Sequence, residues 1–328
     1  MKLAIVGATG LVGQTFIKVI EERKLPVTSL TLFASERSIG KSLTFQGRLI
    51  PVTTLNENSF NQPFDVVLFS AGGSVSKEYA PRAVASGAYV VDNSSYWRMN
   101  EGIPLVVPEI NANDIPNEPS IIANPNCSTI QSVMALSAIH QKYGITRLSY
   151  TTYQAVSGAG QKAVNDYRST KQGQEPTYFK VPIDKVVYPQ IDVFLDDYST
   201  KEEQKMIDET KKILHDASIP ISSTCVRVGV ENGHSVAIQL QTKIPFTLSE
   251  VESLLQASPG VTFYPHPTFP TALDANGNDE VHVGRVRLDK AVENGLHLWV
   301  VSDNIRKGAA TNAVQIVESI LGGNHGII

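Results

Sequence analysis

Two cysteines in 328 residues, Cys127 and Cys225, build neither a disulfide framework nor a four-thiolate metal site. The chain therefore has to stand on an ordinary core and fits a reducing compartment, with no metal expected. Long apolar runs are missing too. The opening MKLAIVGATG is interrupted by glycine after six residues, and nothing elsewhere approaches the roughly 18 apolar residues of a membrane span. Positive charge is not in excess: the net charge is −4, which provides no field for a nucleic-acid backbone or an anionic membrane. Internal repeats and low-complexity segments are absent. What remains is 42% hydrophobic sequence, enough for one large or two medium domains, which excludes disorder. A cytoplasmic, unprocessed protein that handles a small molecule is the expectation.

The first 125 or so residues alternate short apolar strands with helical patterns: strands at Leu3 to Val6, Ser29 to Ala34, Phe64 to Ser70 and Ala88 to Asp92, helices at Leu11 to Glu22 and Lys77 to Ser86. That rhythm predicts an α/β, Rossmann-like doubly wound parallel sheet. After a helix from about Thr129 to Tyr143, longer alternating strands follow at Leu148–Ala155, Thr224–Val230, Ser235–Lys243, Val281–Leu288 and Leu296–Ser302. They predict a second α+β domain with a mixed, mostly antiparallel sheet covered on one face. A one-sided apolar stripe from Ala310 to Leu321 predicts a C-terminal helix, about Lys307 to Leu321, that returns to the first domain. The expected domains are 1–128 with 305–328, and 129–304. Between two strands, Lys171 to Tyr198 has no period and reads as a long irregular excursion, functional or interfacial.

Strand LAIV runs into Gly7-Ala8-Thr9-Gly10-Leu11-Val12-Gly13 and a helix, the place where a dinucleotide pyrophosphate would meet backbone N–H groups and a helix N-terminus. The spacing is GxxGxxG, so a plain tight βα turn is the competing explanation. At the end of the next strand, Ser35-Glu36-Arg37-Ser38 offers both an acid suited to a ribose 2′-hydroxyl and an arginine with hydroxyls suited to a 2′-phosphate. Ser35, Arg37, Ser38 and Lys41 favour NADP. Ser70, in Phe69-Ser70-Ala71-Gly72-Gly73, closes a further strand at the cofactor edge of the sheet.

Asn124-Pro125-Asn126-Cys127-Ser128-Thr129 puts Cys127 in a polar turn at a helix N-terminus, which lowers a thiol pKa and offers N–H groups to an oxyanion. Cys225, inside an alternating strand, reads as packing. Thr224 to Ser235 reads as a hairpin turning at Asn232-Gly233, with Glu231 opposite His234, Arg227 opposite Ile238, and Arg227 and His234 on one face. His234 is then a candidate proton carrier or a solvated side chain. Thr200 with Glu203 fits a capping box, while Glu202 and Lys205 at i,i+3 read as an exposed ion pair on the residues alone.

From GATGLVG through NPNCST and the Cys-Val-Arg and Gly-His-Ser segments to the final helix, the chain resembles the aspartate-semialdehyde dehydrogenase family, in its bacterial, Gram-positive-like type. The resemblance implies reversible, NADP- and phosphate-dependent conversion of L-aspartate 4-semialdehyde to L-4-aspartyl phosphate on the way to lysine, threonine, methionine and diaminopimelate. By the same resemblance Cys127 matches the nucleophile, His234 the acid/base, and Gln154 the residue that orients the thioester. Arg227 matches the substrate carboxylate clamp and Glu202 the partner of the substrate amino group. Arg98, Asn126 and Lys205 match the phosphate site. Thr9, Gly10, Leu11, Val12, Ser35, Arg37, Ser157, Gly158 and Gln315 match cofactor contacts, and Gly7, Ser38 and Ser70 join them from the loop and strand ends read above. A homodimer or homotetramer built on the second-domain sheet is implied. Gly229 stands where many relatives carry proline.

N-acetyl-γ-glutamyl-phosphate reductase is the nearest enzymatic alternative; it has no free ammonium for Glu202 to meet and usually carries glycine at the Asn126 position. A non-catalytic NADP-binding sensor is the alternative of another class, against which the presence of Cys127 and His234 speaks. Substrate-dependent NADPH oxidation separates all three.

Overall fold

A computed structural model describes residues 1–322. By chain contacts the described residues divide into two compact units, Met1–Pro125 with the chain from Ala309 to Gly322, and Asn126–Gly308. Residues 323–328, which the expected first domain includes, lie outside the described residues.

The first unit holds strands β1 (Lys2–Val6), β2 (Ser29–Ala34), β3 (Ser42–Phe45), β4 (Arg48–Thr54), β5 (Val66–Phe69), β6 (Tyr89–Asp92) and β7 (Ile121–Ala123) in the order β3-β4-β2-β1-β5-β6-β7. All pairs are parallel except β3 with β4. Continuous apolar runs suit strands covered on both faces, and alternation sorts them. Leu3 and Ile5 pack with Phe16, Ile17 and Ile20 of the helix Leu11–Glu22 and with Val314, Val317 and Ile320 of the final helix Thr311–Gly322. Ala4 and Val6 face Phe33, Phe69, Ala80 and Ala83 on the opposite side. The final helix thus belongs to the first unit, as its stripe implies; it starts at Thr311, after a wide turn over Arg306–Ala310. The strand pattern does not announce the β3–β4 hairpin. Its two-residue loop, Gln46-Gly47, has positive φ at both positions, which glycine tolerates and glutamine signals poorly.

The second unit carries β8 (Ile145–Gln154), β9 (Ile221–Arg227), β10 (His234–Thr242), β11 (Val261–Phe263), β12 (Val281–Asp289) and β13 (Gly295–Ser302), ordered β11-β12-β13-β10-β8-β9. Three pairings are antiparallel and two parallel. The nearly all-buried helix Cys127–Tyr143 covers one face.

The expected hairpin between β9 and β10 does not form. Both strands pair with β8, β9 in parallel and β10 antiparallel, so β8 separates Arg227 from the strand of His234. The excursion has a definite seat: Tyr188 exchanges both backbone hydrogen bonds with Arg227 and so covers the free edge of β9. Gly229 is explained by the same contact. A Cβ there would come 2.9 Å from Asp184 Cα, so it is close packing by the excursion, beyond loop stiffness, that calls for glycine.

Candidate active site

Asn126 caps the helix Cys127–Tyr143, its Oδ1 accepting from Ser128 N at 2.9 Å and Thr129 N at 3.3 Å. This begins the helix two residues earlier than its apolar pattern shows and makes Cys127 its first residue, half-buried, at the positive end of the helix dipole. The backbone of Gly308 lies on the nucleophile: a Cβ there would approach Cys127 Cβ to 2.8 Å. Cys225 is buried, and burial pushes its thiol to about 12, which leaves Cys127 as the reactive cysteine.

Strand register assembles the next three groups. Arg227 on β9 is level with Gln154 on β8, and Ser235 on β10 pairs with Tyr153, so the continuing register brings His234 opposite Gln154. Arg227 is 5% exposed and donates from Nη1 to Ala155 O at 2.8 Å. Burial lowers its pKa while Glu202 and Cys127 oppose the change, which puts the Cys127 sulfur within the field of the guanidinium.

His234 is fully buried, and its Nδ1 accepts from the backbone N–H of Ala155 at 3.0 Å. Desolvation, then Arg227, depress its pKa to about 3 against a smaller pull from Glu202, so the ring is neutral. With Nδ1 an acceptor, the proton of the neutral ring sits on Nε2, which has no partner among the described residues. Gly158 leaves room in front of it: a Cβ there would come 3.0 Å from Nε2 and 2.9 Å from Arg227 Nη1. His234 at rest is therefore a hydrogen-bond donor; the resemblance casts it as the acid/base.

Glu202 gathers the remaining side chains. Its Oε1 accepts from Asn126 Nδ2 at 2.8 Å and Gln154 Nε2 at 3.0 Å, and its Oε2 from Lys205 Nζ at 3.0 Å. Burial alone would raise its pKa, but Lys205 and the two amides bring it to about 2. The exposed ion pair expected from i,i+3 spacing is thus a buried hub, because the helix Lys201–Ile213 turns this face inward. Gln154 Oε1 is itself taken by Thr152 Oγ1 at 3.0 Å, so the amide is held at both ends. Lys205 Nζ also meets Asp192 Oδ2 at 2.8 Å, a partner from the excursion that no periodicity announces.

Arg98 belongs to the first unit, buried, with Nε on Asn124 O at 2.9 Å and Nη2 on Asn93 O at 3.0 Å. In that unit the glycine loop is sterically required. A Cβ at Gly7, whose φ is +86°, would collide with Ser70 O, and one at Gly13 with Gly7 O. Beside the loop, at the switch between β2 and β5, a cavity of about 500 Å³ is lined by Gly7, Thr9, Gly10, Ser35, Arg37 and Ser70, with Glu36 also present. A chain packed this closely to its own backbone, opening on an exposed arginine, fits an extended phosphorylated dinucleotide. Leu11 and Val12 open the helix behind the loop, and Ser38 is buried against Thr9, Oγ to Oγ1 3.0 Å. Gln315 donates to Glu109 Oε1 at 2.8 Å and does not line the cavity. Ser157 and Gly158 lie in the second unit, where Ser157 Oγ meets Asn232 and Asn304.

Residues 2–118 match the family model "Semialdehyde dehydrogenase, NAD binding domain", and 136–307 match "Semialdehyde dehydrogenase, dimerisation domain". The aspartate-semialdehyde dehydrogenase of Aquifex aeolicus is 53% identical over 98% of each chain. Aspartate semialdehyde dehydrogenase II of Vibrio cholerae, complexed with ASA, superimposes with a TM-score of 0.95 at 44% identity over 98% of both chains. The enzyme of Candida albicans with NADP does so at 0.79 and 26% identity over 99% of both.

Proposed function

Because the chain belongs to the aspartate-semialdehyde dehydrogenase family, we propose that it reduces L-4-aspartyl phosphate to L-aspartate 4-semialdehyde and phosphate with NADPH, reversibly, in the biosynthesis of lysine, threonine, methionine and diaminopimelate. The observation that carries this reading is Cys127 heading a capped helix in the field of Arg227, with Arg227, Gln154 and His234 level on three adjacent strands.

In the biosynthetic direction the Cys127 thiolate bonds to the acyl carbon and the bond from that carbon to the phosphate oxygen breaks, leaving a thioester. The departing phosphate takes up the one proton of the overall reaction. The nicotinamide, when bound, supplies the hydride that reduces the thioester. The resulting alkoxide on the Cys127 adduct reforms a carbonyl as the carbon–sulfur bond breaks, so it needs a donor and no permanent proton; the Nε2–H of His234 is such a donor. Arg227 presents a fork to the substrate carboxylate. Three of the four acceptor positions of Glu202 are in use, and the fourth suits the substrate ammonium. Lys205, with Asn126, is assigned to phosphate; the Asn126 amide carries a second N–H besides the one on Glu202.

The exposed Ser35 and Arg37 beside the cavity support NADP over NAD. Charge-assisted hydrogen bonds are worth about 1.5–3 kcal/mol, so Arg37→Ala should weaken NADP roughly ten- to a hundredfold and NAD far less. Titration of both cofactors checks this; equal losses would contradict it.

The open face of the second sheet, with exposed Phe269 and Leu273 beside Trp299, supports assembly into a homodimer or homotetramer. Among the described residues no helix is long and apolar enough to cross a membrane. Two cysteines in 328 residues support a reducing compartment, the cytoplasm. The reading as a whole is tested by steady-state assay with L-aspartate semialdehyde, phosphate and each nicotinamide cofactor in turn; turnover that does not require phosphate would overturn it.

A further inference from the structure

Lys205 is held between two carboxylates that differ in freedom. Glu202 is buried and fixed by Asn126 and Gln154. Asp192 has a side chain 33% exposed and sits on the excursion, its φ of +68° in the left-handed region and its Oδ1 on the next backbone N–H. The segment that carries it is tied to the start of the Lys205 helix: Val193 O accepts from Lys201 N at 2.9 Å, and Phe194 bridges Thr200. Asp192 is thereby delivered to Nζ at 2.8 Å, closer than Glu202 at 3.0 Å. One positive charge faces two negative ones. An incoming phosphate gains little from a lysine already overcompensated, and of the two carboxylates only Asp192 has a path into solvent.

We propose that Asp192 is an exchangeable counter-ion of Lys205, which phosphate displaces on binding and which reclaims the lysine when phosphate leaves. The inference rests on the assignment of Lys205 to phosphate. The excursion then supplies a carboxylate that keeps Lys205 ionised and extended between turnovers and favours phosphate release in the biosynthetic direction. The role is one of positioning, since Asp192 yields its place when the substrate arrives.

The test compares Asp192→Asn, Lys205→Ala and the double variant, measuring the phosphate KM in the oxidative direction together with the KM for semialdehyde. Asp192→Asn should lower the phosphate KM about three- to tenfold, as expected when one like charge is removed near a bound anion, and leave the semialdehyde KM within about twofold. Lys205→Ala should raise the phosphate KM strongly, and in that background Asp192→Asn should change it by less than about twofold. An unchanged or raised phosphate KM in Asp192→Asn overturns the counter-ion, leaving a structural ion pair. An unchanged phosphate KM in Lys205→Ala instead overturns the phosphate assignment on which it rests. Asp192→Ser, shorter and uncharged, should give the same direction as Asn if charge is the cause, and a rise if the loop's geometry is.

Discussion

Replacing Cys127 by alanine should leave no measurable turnover in either direction, the largest effect any single substitution in this chain should have. The thioester has no other sulfur to form on. Cys225 is buried within β9 with its thiol raised to about 12, and therefore stays protonated at neutral pH. Cys127→Ser keeps an oxygen at the same place, but a hydroxyl at the head of a helix is a far poorer nucleophile, and only a trace of activity should remain. Because the N-cap is made by Asn126 and not by residue 127, both variants should fold, and their thermal midpoints should stay close to that of the parent. Steady-state rates beside thermal melts check the claim; substantial turnover by Cys127→Ala would place the nucleophile elsewhere.

His234 carries the second large effect, and here the side-chain series discriminates between two roles. Removing a donor aimed at a developing oxyanion costs about 10²–10³-fold in kcat, so His234→Ala should fall by that much. His234→Gln sets an amide N–H at a similar reach and should stay within roughly tenfold of the parent, since the alkoxide needs a hydrogen bond and no net proton. If Gln is as inactive as Ala, the imidazole moves a proton and the donor reading is wrong. The same residue makes a statement about pH. Its pKa is about 3 in the folded chain against about 6.5 for an ordinary histidine. A depressed value means that protons bind the unfolded chain more readily. Stability is fully present above pH 6.5 and is lost as pH falls towards 3, at about 1 kcal/mol per pH unit. His234→Gln should flatten that part of the stability profile, as followed by denaturant melts between pH 7 and pH 4.

How legible the molecule is from its sequence differs between its parts. The glycine loop is readable because Gly7 and Gly13 answer a local steric demand, from Ser70 and from Gly7 itself, that leaves its mark on residue type. Cys127 is readable because a polar Asn-Pro-Asn turn before an apolar helix is a local signal. The hairpin expected of Arg227 and His234 fails for the converse reason. Asn232-Gly233 is a strong turn signal in short range, but the strand that separates the two residues, β8, comes from far upstream, and no pattern within 224–235 reports it. On the residues alone Glu202 reads as exposed, since only tertiary packing turns its helix face inward. Asp192 leaves no trace because an irregular segment has no period from which a contact could be inferred. The Ala155 N–H, which fixes the tautomer of His234, is backbone and has no residue type to show.

The central claim is that chemistry passes through an acyl group on Cys127, and trapping tests it most directly. Enzyme incubated with L-aspartate semialdehyde and NADP, with phosphate withheld, is digested and its peptides weighed. The account predicts an aspartyl thioester on the peptide that bears Cys127, lost when phosphate is added back. An adduct on the Cys225 peptide, or NADP reduced with no adduct formed, would contradict it.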